Sequence, residues 1–151
     1  NLFKNKDIIL TPEDETDSEK LDLTCKFWKD LGGVIKSMAP LEHDQIFSTV
    51  SHIPHLIAYN MVNLIAGKSN RDTLLEFAAS GFKDFSRIAG SSPEVWKDIS
   101  LANKTAILND LDLFVKEINK TASLIKNEDY IALEKYFEVA SKIRKNWSEK
   151  N

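Results

Sequence analysis

Cysteine is all but missing from this chain. Cys25 stands alone, which excludes a disulfide framework and suits a reducing, cytoplasmic compartment. Long apolar runs are missing too: Asn60 and Asn63 interrupt the best candidate, which falls short of the roughly 20 apolar residues a bilayer-spanning helix needs. There is no surplus of positive charge. Twenty Lys and Arg face 23 Asp and Glu, for a net charge of -3, so nothing asks for nucleic acid. The motifs GxSxG, GxGxxG and CxxC and the phosphate-binding P-loop do not occur, and without them the chain has no usual means of binding a dinucleotide phosphate by itself. No stretch reads as a secretory signal. Asn1 stands where a methionine would, and the chain is expected to begin inside a longer protein.

What is present fits a globular protein with a real core. Over 151 residues, 42% are hydrophobic and 28% charged, enough for one domain or for one domain and a piece of another. The stretch from Asp7 to Pro12 reads as a short buried strand ending at the proline. After an acidic loop, Thr16 or Asp17 caps a helix over Ser18–Leu31, which Gly32 and Gly33 stop. A second strand follows over Val34–Met38. Strand, helix and strand in so short a span make a βαβ unit, hence a parallel pair with a right-handed crossover. Two strands do not make a stable doubly wound sheet, so residues 1–39 read as the end of a Rossmann-like domain. Residues 40–151 read as all-helical, and the fold class as mainly α.

Within the helical part, Asn70–Ser80 reads as a short helix closed by Gly81, and Phe82, Phe85 and Ile88 mark another that Gly90 ends. Pro93 opens the next helix from its first position, and that helix bends through Asn103 into a longer one. Asn127 to Asp129 break the chain before a last helix over Tyr130–Trp147. The wide apolar stripes of these last helices suggest a bundle that pairs with a second copy of itself.

All three histidines lie in the longest apolar segment, His43–Ala66. His52 and His55 are three apart and share a helical face with Tyr59, while Ser51 and Asp44 lie on nearly the same side. Pro54 has no amide for the helix and clashes with the carbonyl four residues back. A kink near Ser51 follows, with a carbonyl or two left free beside the imidazoles. Two readings of the histidines stand equally: a ligand site, or rings that cap the kink and pair with backbone. A metal site is disfavoured, because two histidines at this spacing supply half a zinc shell and the glutamate of a zincin is absent. Arg87 lies between Phe85 and Ile88 with Asp84 three residues before it. It is either a bidentate carboxylate anchor restrained by Asp84 or half of an ordinary surface pair. Trp96 reads more readily as core than as ligand contact, and His43 as a helix-start cap or dipole partner.

Taken together, IILTP, FWKDLGGVIKSMAPLEHDQIFSTVSHIPHLIAYNMVN and GFKDFSRIAGSSPEVWKDISLANK resemble the prephenate/arogenate dehydrogenase family over about Ile8 to Asn103. The resemblance implies a nucleotide-binding domain followed by a helical domain through which the enzyme forms a homodimer. It implies oxidative decarboxylation of prephenate to 4-hydroxyphenylpyruvate, or of arogenate to tyrosine, with NAD or NADP as hydride acceptor. It implies that His55 and Arg87 hold the substrate's carboxylates. Ser51, Trp96 and Gly81 from the neighbouring subunit would line the pocket, with His52, His43 and Asp84 supporting. Asp84 would restrain Arg87 or gate the site with it across subunits. The catalytic histidine and the Gly-rich fingerprint belong to the nucleotide-binding half, so this segment is expected not to turn over alone. Two alternatives stay open: a helical dimerisation module without chemistry, and a different two-domain NAD(P)-dependent dehydrogenase, against which the SHIPH and FSRIA motifs speak.

Overall fold

A computed structural model describes residues 2–148. The chain opens with β1 (Asp7–Leu10), α1 (Ser18–Asp30) and β2 (Val34–Ser37). The two strands pair in parallel, Asp7 against Val34 through Leu10 against Ser37, and Lys36 Nζ meets Asp7 Oδ2 at 2.6 Å across the pair. Asp17 caps α1, its carboxylate accepting the Lys20 N–H at 3.0 Å. The helix stops because Gly32 takes φ +88°, a conformation that disfavours any side chain. Gly33 is required for a different reason. A Cβ there would stand 2.7 Å from Ile8 Cγ1 and 3.0 Å from the Trp28 carbonyl oxygen, so only a bare backbone lets α1 return this closely to β1. The buried strand expected at Asp7–Pro12 is shorter and less covered than that: Ile8, Ile9 and Leu10 are half-buried and Asp7 is exposed, since β2 is its one strand neighbour.

From Pro40 the described chain is helical: α2 (Pro40–Phe47), a π-helical turn (Ser48–His52), α3 (Ile53–Ala66), α4 (Arg71–Glu76), α5 (Ser80–Ser86), a 3-10 turn (Arg87–Gly90), α6 (Pro93–Ala102), α7 (Lys104–Lys126) and α8 (Tyr130–Ser148). The helix expected to run to Ser80 and close at Gly81 is corrected. It ends at Glu76, where the Ala78 N–H tightens onto the Leu75 carbonyl. Ala79 is extended, and Gly81 lies in the first turn of α5, where unpaired N–H groups make a weak helix former least costly. The bend at Asn103 is realised as the junction of α6 and α7. Near Ser51, where a kink is expected, the helix changes type to the π-turn, in which the Ile53 N–H reaches back five residues to the Ser48 carbonyl.

Contacts divide the chain into two compact units, Asn1–Ile107 and Leu108–Asn151. Position 39/40 falls inside the first, where strands give way to helices. In the first unit, the buried residues are Ser48 at 0% exposure, Ile53, Ala58, Asn103 at 8%, and Ile107, with Ser48 inside the π-turn and Ile53 directly after it. In the second, no described residue is buried, and Val115, Ile118, Phe137, Val139 and Ile143 of α7 and α8 all stand exposed. Among the described residues no helix is long and apolar enough to cross a membrane.

Ser48 yields a test of this core. Its hydroxyl is completely enclosed and has no hydrogen-bond partner among the described residues, so Ser48→Ala removes a desolvated group without breaking a bond seen there. Thermal or urea unfolding is expected to show unchanged stability or a gain of about 1 kcal/mol. A comparable loss would mean that the hydroxyl serves a carbonyl of the widened turn.

Candidate functional site

The site begins with Pro54. A proline here supplies no N–H to the Val50 carbonyl and crowds it, and the backbone widens into the π-turn just before α3. One product of that widening is the environment of His55. Its Nδ1 lies 2.9 Å from the Ser51 carbonyl oxygen, and because a carbonyl only accepts, Nδ1 carries the proton. The ring is held on its face as well, stacked on Trp96 with centroids 3.8 Å apart and planes 19° apart. His55 is therefore locked in tautomer and in rotation, and its Nε2 has no hydrogen bond among the described residues. Pairing with backbone and presenting a ring to a ligand, the two readings of this histidine, are both consistent with one arrangement.

His52 sits at the end of the π-turn with its ring edge-on to Trp96, centroids 6.2 Å apart. Its Nδ1 lies 3.2 Å from Asn103 Nδ2, which also donates to the Asp44 carbonyl at 2.7 Å. Burial, with smaller contributions from His43 and His55, outweighs the opposing pull of Asp44 and holds the His52 imidazole below its ordinary 6.5. His43 neither caps nor closes a helix end. Its Nδ1 pairs with Asp44 Oδ1 at 3.1 Å and its ring stacks on Phe47. Tyr59, one turn beyond His55, donates its hydroxyl to the Ser91 carbonyl at 2.7 Å, which ties the segment before α6 to α3. Ser51 contributes its backbone oxygen; its hydroxyl makes no hydrogen bond among the described residues.

The remaining expected residues lie on the 3-10 turn and on α5, both packed against α3. Arg87 opens the 3-10 turn and is exposed. Its guanidinium has no ion pair or hydrogen bond among the described residues. Asp84 is exposed as well, and no ion pair links it to Arg87 within the chain, so neither a restraint by Asp84 nor an ordinary surface pair is seen. The reason is local. Asp84 belongs to α5, whereas Arg87 begins a 3-10 segment, and the change of helix type breaks the shared face that i, i+3 spacing supplies in a continuous helix. At Gly81 a Cβ would meet nothing within 4 Å, so nothing in the chain itself requires a glycine there.

Among the described residues there is no cradle for a dinucleotide. The turn from β1 into α1 holds Glu13, Asp14, Glu15 and Asp17 and no glycine. The Asp17 carboxylate already occupies the N-terminus of α1, with Glu19 in its first turn. That end of the helix is closed to a pyrophosphate by charge and by occupancy.

Residues 39–139 match the family model described as prephenate dehydrogenase, dimerization domain. The chain is 38% identical over 144 residues to the prephenate dehydrogenase of Bacillus subtilis, covering 95% of this chain and 39% of that protein. It is 33% identical over 145 residues to the cyclohexadienyl dehydrogenase of Zymomonas mobilis, covering 95% and 50%. Thus it spans half the length, or less, of these relatives. Among solved structures, it superposes at TM-score 0.89 and 37% identity on prephenate dehydrogenase from A. aeolicus in complex with hydroxyphenyl propionate and NAD+, covering 97% of this chain and 51% of that one.

The electrostatics of His52 set a pH dependence. With its folded-state affinity for a proton depressed, the unfolded chain binds a proton in the window just below 6.5 that the folded chain refuses. Stability is then full above that window and falls as pH drops through it to the folded-state value. Melting temperature measured from pH 7.5 to 5 is expected to decline in the wild type and to decline less in His52→Gln. Equal slopes in the two would show that His52 does not carry the effect.

Proposed function

This chain belongs to the prephenate dehydrogenase family, and we propose that it forms the substrate-holding and dimerising half of such an enzyme. The reaction is oxidative decarboxylation of prephenate to 4-hydroxyphenylpyruvate, or of arogenate to tyrosine, in the cytoplasm. Residues 1–39 are read as the last βαβ of a nucleotide-binding domain and 40–151 as the helical domain. The parallel β1–β2 pair and the start of the family match at residue 39 support that division. NAD or NADP takes the hydride, bound mainly by the nucleotide-binding domain of which residues 1–39 are read as the end. The bound hydroxyphenyl propionate of the A. aeolicus relative supports an aromatic acid as the product class.

The observation that carries this reading is the doubly locked ring of His55. The reaction converts a dianionic six-membered ring to an aromatic one, and its barrier is lowered by holding that ring still against the hydride acceptor. An imidazole stacked on Trp96 at 3.8 Å and hydrogen-bonded at Nδ1 loses no rotational freedom on binding and aims Nε2 alone. With Nδ1–H committed to Ser51, Nε2 is the ring nitrogen left to meet a substrate carboxylate. Arg87, whose guanidinium has no ion pair or hydrogen bond among the described residues, supplies the second anchor. Ser51, Trp96 and Gly81 line the pocket, and Asp84 acts on Arg87 from the other subunit. The exposed apolar faces of α7 and α8 are of the kind a homodimer covers.

Two substitutions in the full-length enzyme test this. Arg87→Ala is expected to raise KM for prephenate or arogenate by about 30- to 1,000-fold, the scale of about 2–4 kcal/mol for a lost charge-assisted anchor. An unchanged KM removes Arg87 from the site. Gly81→Ala is expected to leave stability unchanged or raise it by up to about 1 kcal/mol, since alanine is the better helix former and its methyl meets nothing in the chain. KM is expected to rise in the same variant, because the methyl intrudes on whatever approaches that backbone from outside. Stability and KM both unmoved would take Gly81 out of the pocket.

A further inference from the structure

Helix α6 grips the segment bearing the histidines from both of its ends. Near its start Trp96 covers the face of His55 and meets the edge of His52. At its end Asn103, only 8% exposed, reaches the Asp44 carbonyl at 2.7 Å and His52 Nδ1 at 3.2 Å. The orientation of that carboxamide follows from chemistry. Its oxygen at 2.7 Å from a carbonyl would set two acceptors against each other, so the amino group faces Asp44. The same amino group then faces His52 Nδ1, which must accept, and the His52 proton is left on Nε2. The two imidazoles are consequently held in opposite tautomers: His55 protonated at Nδ1 by its bond to Ser51, His52 protonated at Nε2 by its bond to Asn103. Neither Nε2 has a hydrogen bond among the described residues.

We propose that Asn103 is a positioning residue that holds His52 as the neutral Nε2–H tautomer, so that His52 offers a substrate carboxylate a donor that needs no proton uptake. The proposal rests on the substrate reading given above and adds a division of labour to it. His55 donates at Nε2 only as a cation, whereas His52 donates as it stands. The proton affinity of His52, lowered chiefly by burial, agrees, since the Asn103 amino group that faces Nδ1 can only donate and so meets a neutral ring. Around His52 the titratable groups are His43, Asp44 and His55, and none supplies an acceptor to Nδ1. Asn103 is buried and bonded to both Asp44 and His52, so its amide has little freedom to turn away.

The test uses the full-length enzyme labelled with 15N-histidine, His52 being assigned by the signal lost in His52→Gln. Without substrate, the wild type is expected to show His52 with a pyrrole-type Nε2 and a pyridine-type Nδ1. In Asn103→Leu the two nitrogens are expected to average toward a tautomer mixture. KM is expected to rise about tenfold with kcat little changed, the scale of one lost neutral hydrogen bond; Asn103→Gln, which keeps the donor, should raise it less. A wild-type His52 protonated at Nδ1, or already averaged, overturns the proposal and needs no variant to fold. A KM unmoved in Asn103→Leu while Arg87→Ala raises it makes Asn103 purely structural and also overturns it. KM unmoved in both variants means instead that the substrate reading has failed, and the positioning role falls with it.

Discussion

Everything at this site descends from one missing hydrogen. Pro54 has no N–H for the helix it stands in and its ring crowds the carbonyl behind it, so Ser48–His52 open into a π-turn. Within the widened turn the Ser51 oxygen meets the His55 imidazole, and just before it the Asp44 oxygen, which also accepts the Ser48 N–H, meets the Asn103 carboxamide. Side chains from α3 and from the α6–α7 junction are thus anchored on backbone in and beside the π-turn.

Ser48 within the turn, Ile53 just after it and Asn103, which bonds to His52 at its end, are all buried, and Asn103 is paired on both sides, as a polar group removed from water needs to be. The enclosure in turn holds the rings. A histidine fixed by one backbone bond and one tryptophan face is costly to assemble and cheap to use, which is the ordinary logic of a preorganised site. Away from the turn the requirement relaxes: Arg87 and Asp84 stand on short, exposed segments and make no ion pair among the described residues, and a Cβ at Gly81 would meet nothing within 4 Å.

Much of this was legible in the residue order. The βαβ unit, its glycine stop and the helical run after Pro40 follow from local rules that need only near neighbours. The kink at Ser51 follows from proline stereochemistry alone. Where reading by spacing failed, it failed for lack of long-range information. Gly81 was expected to end one helix and instead begins another, because a glycine is tolerated at either position and only the packing of α5 on α3 chooses. The Asp84–Arg87 pairing assumed a continuous helix that the 3-10 turn interrupts. Asn103 looked like a bend and nothing more, since an asparagine at a helix end is ordinary. Its partners Asp44 and His52 lie more than fifty residues away.

Sequence by itself determined that a proline would disturb the helix among the histidines, that no disulfide could form within the chain, and that the motifs belong to a dehydrogenase family. Those conclusions depend on covalent geometry and on residue identity, which neighbours along the chain suffice to express. Only the tertiary structure decided which nitrogen of each imidazole is free. A tautomer is set by whatever donor or acceptor meets the ring, and for His52 that partner is brought from a distant helix end by folding.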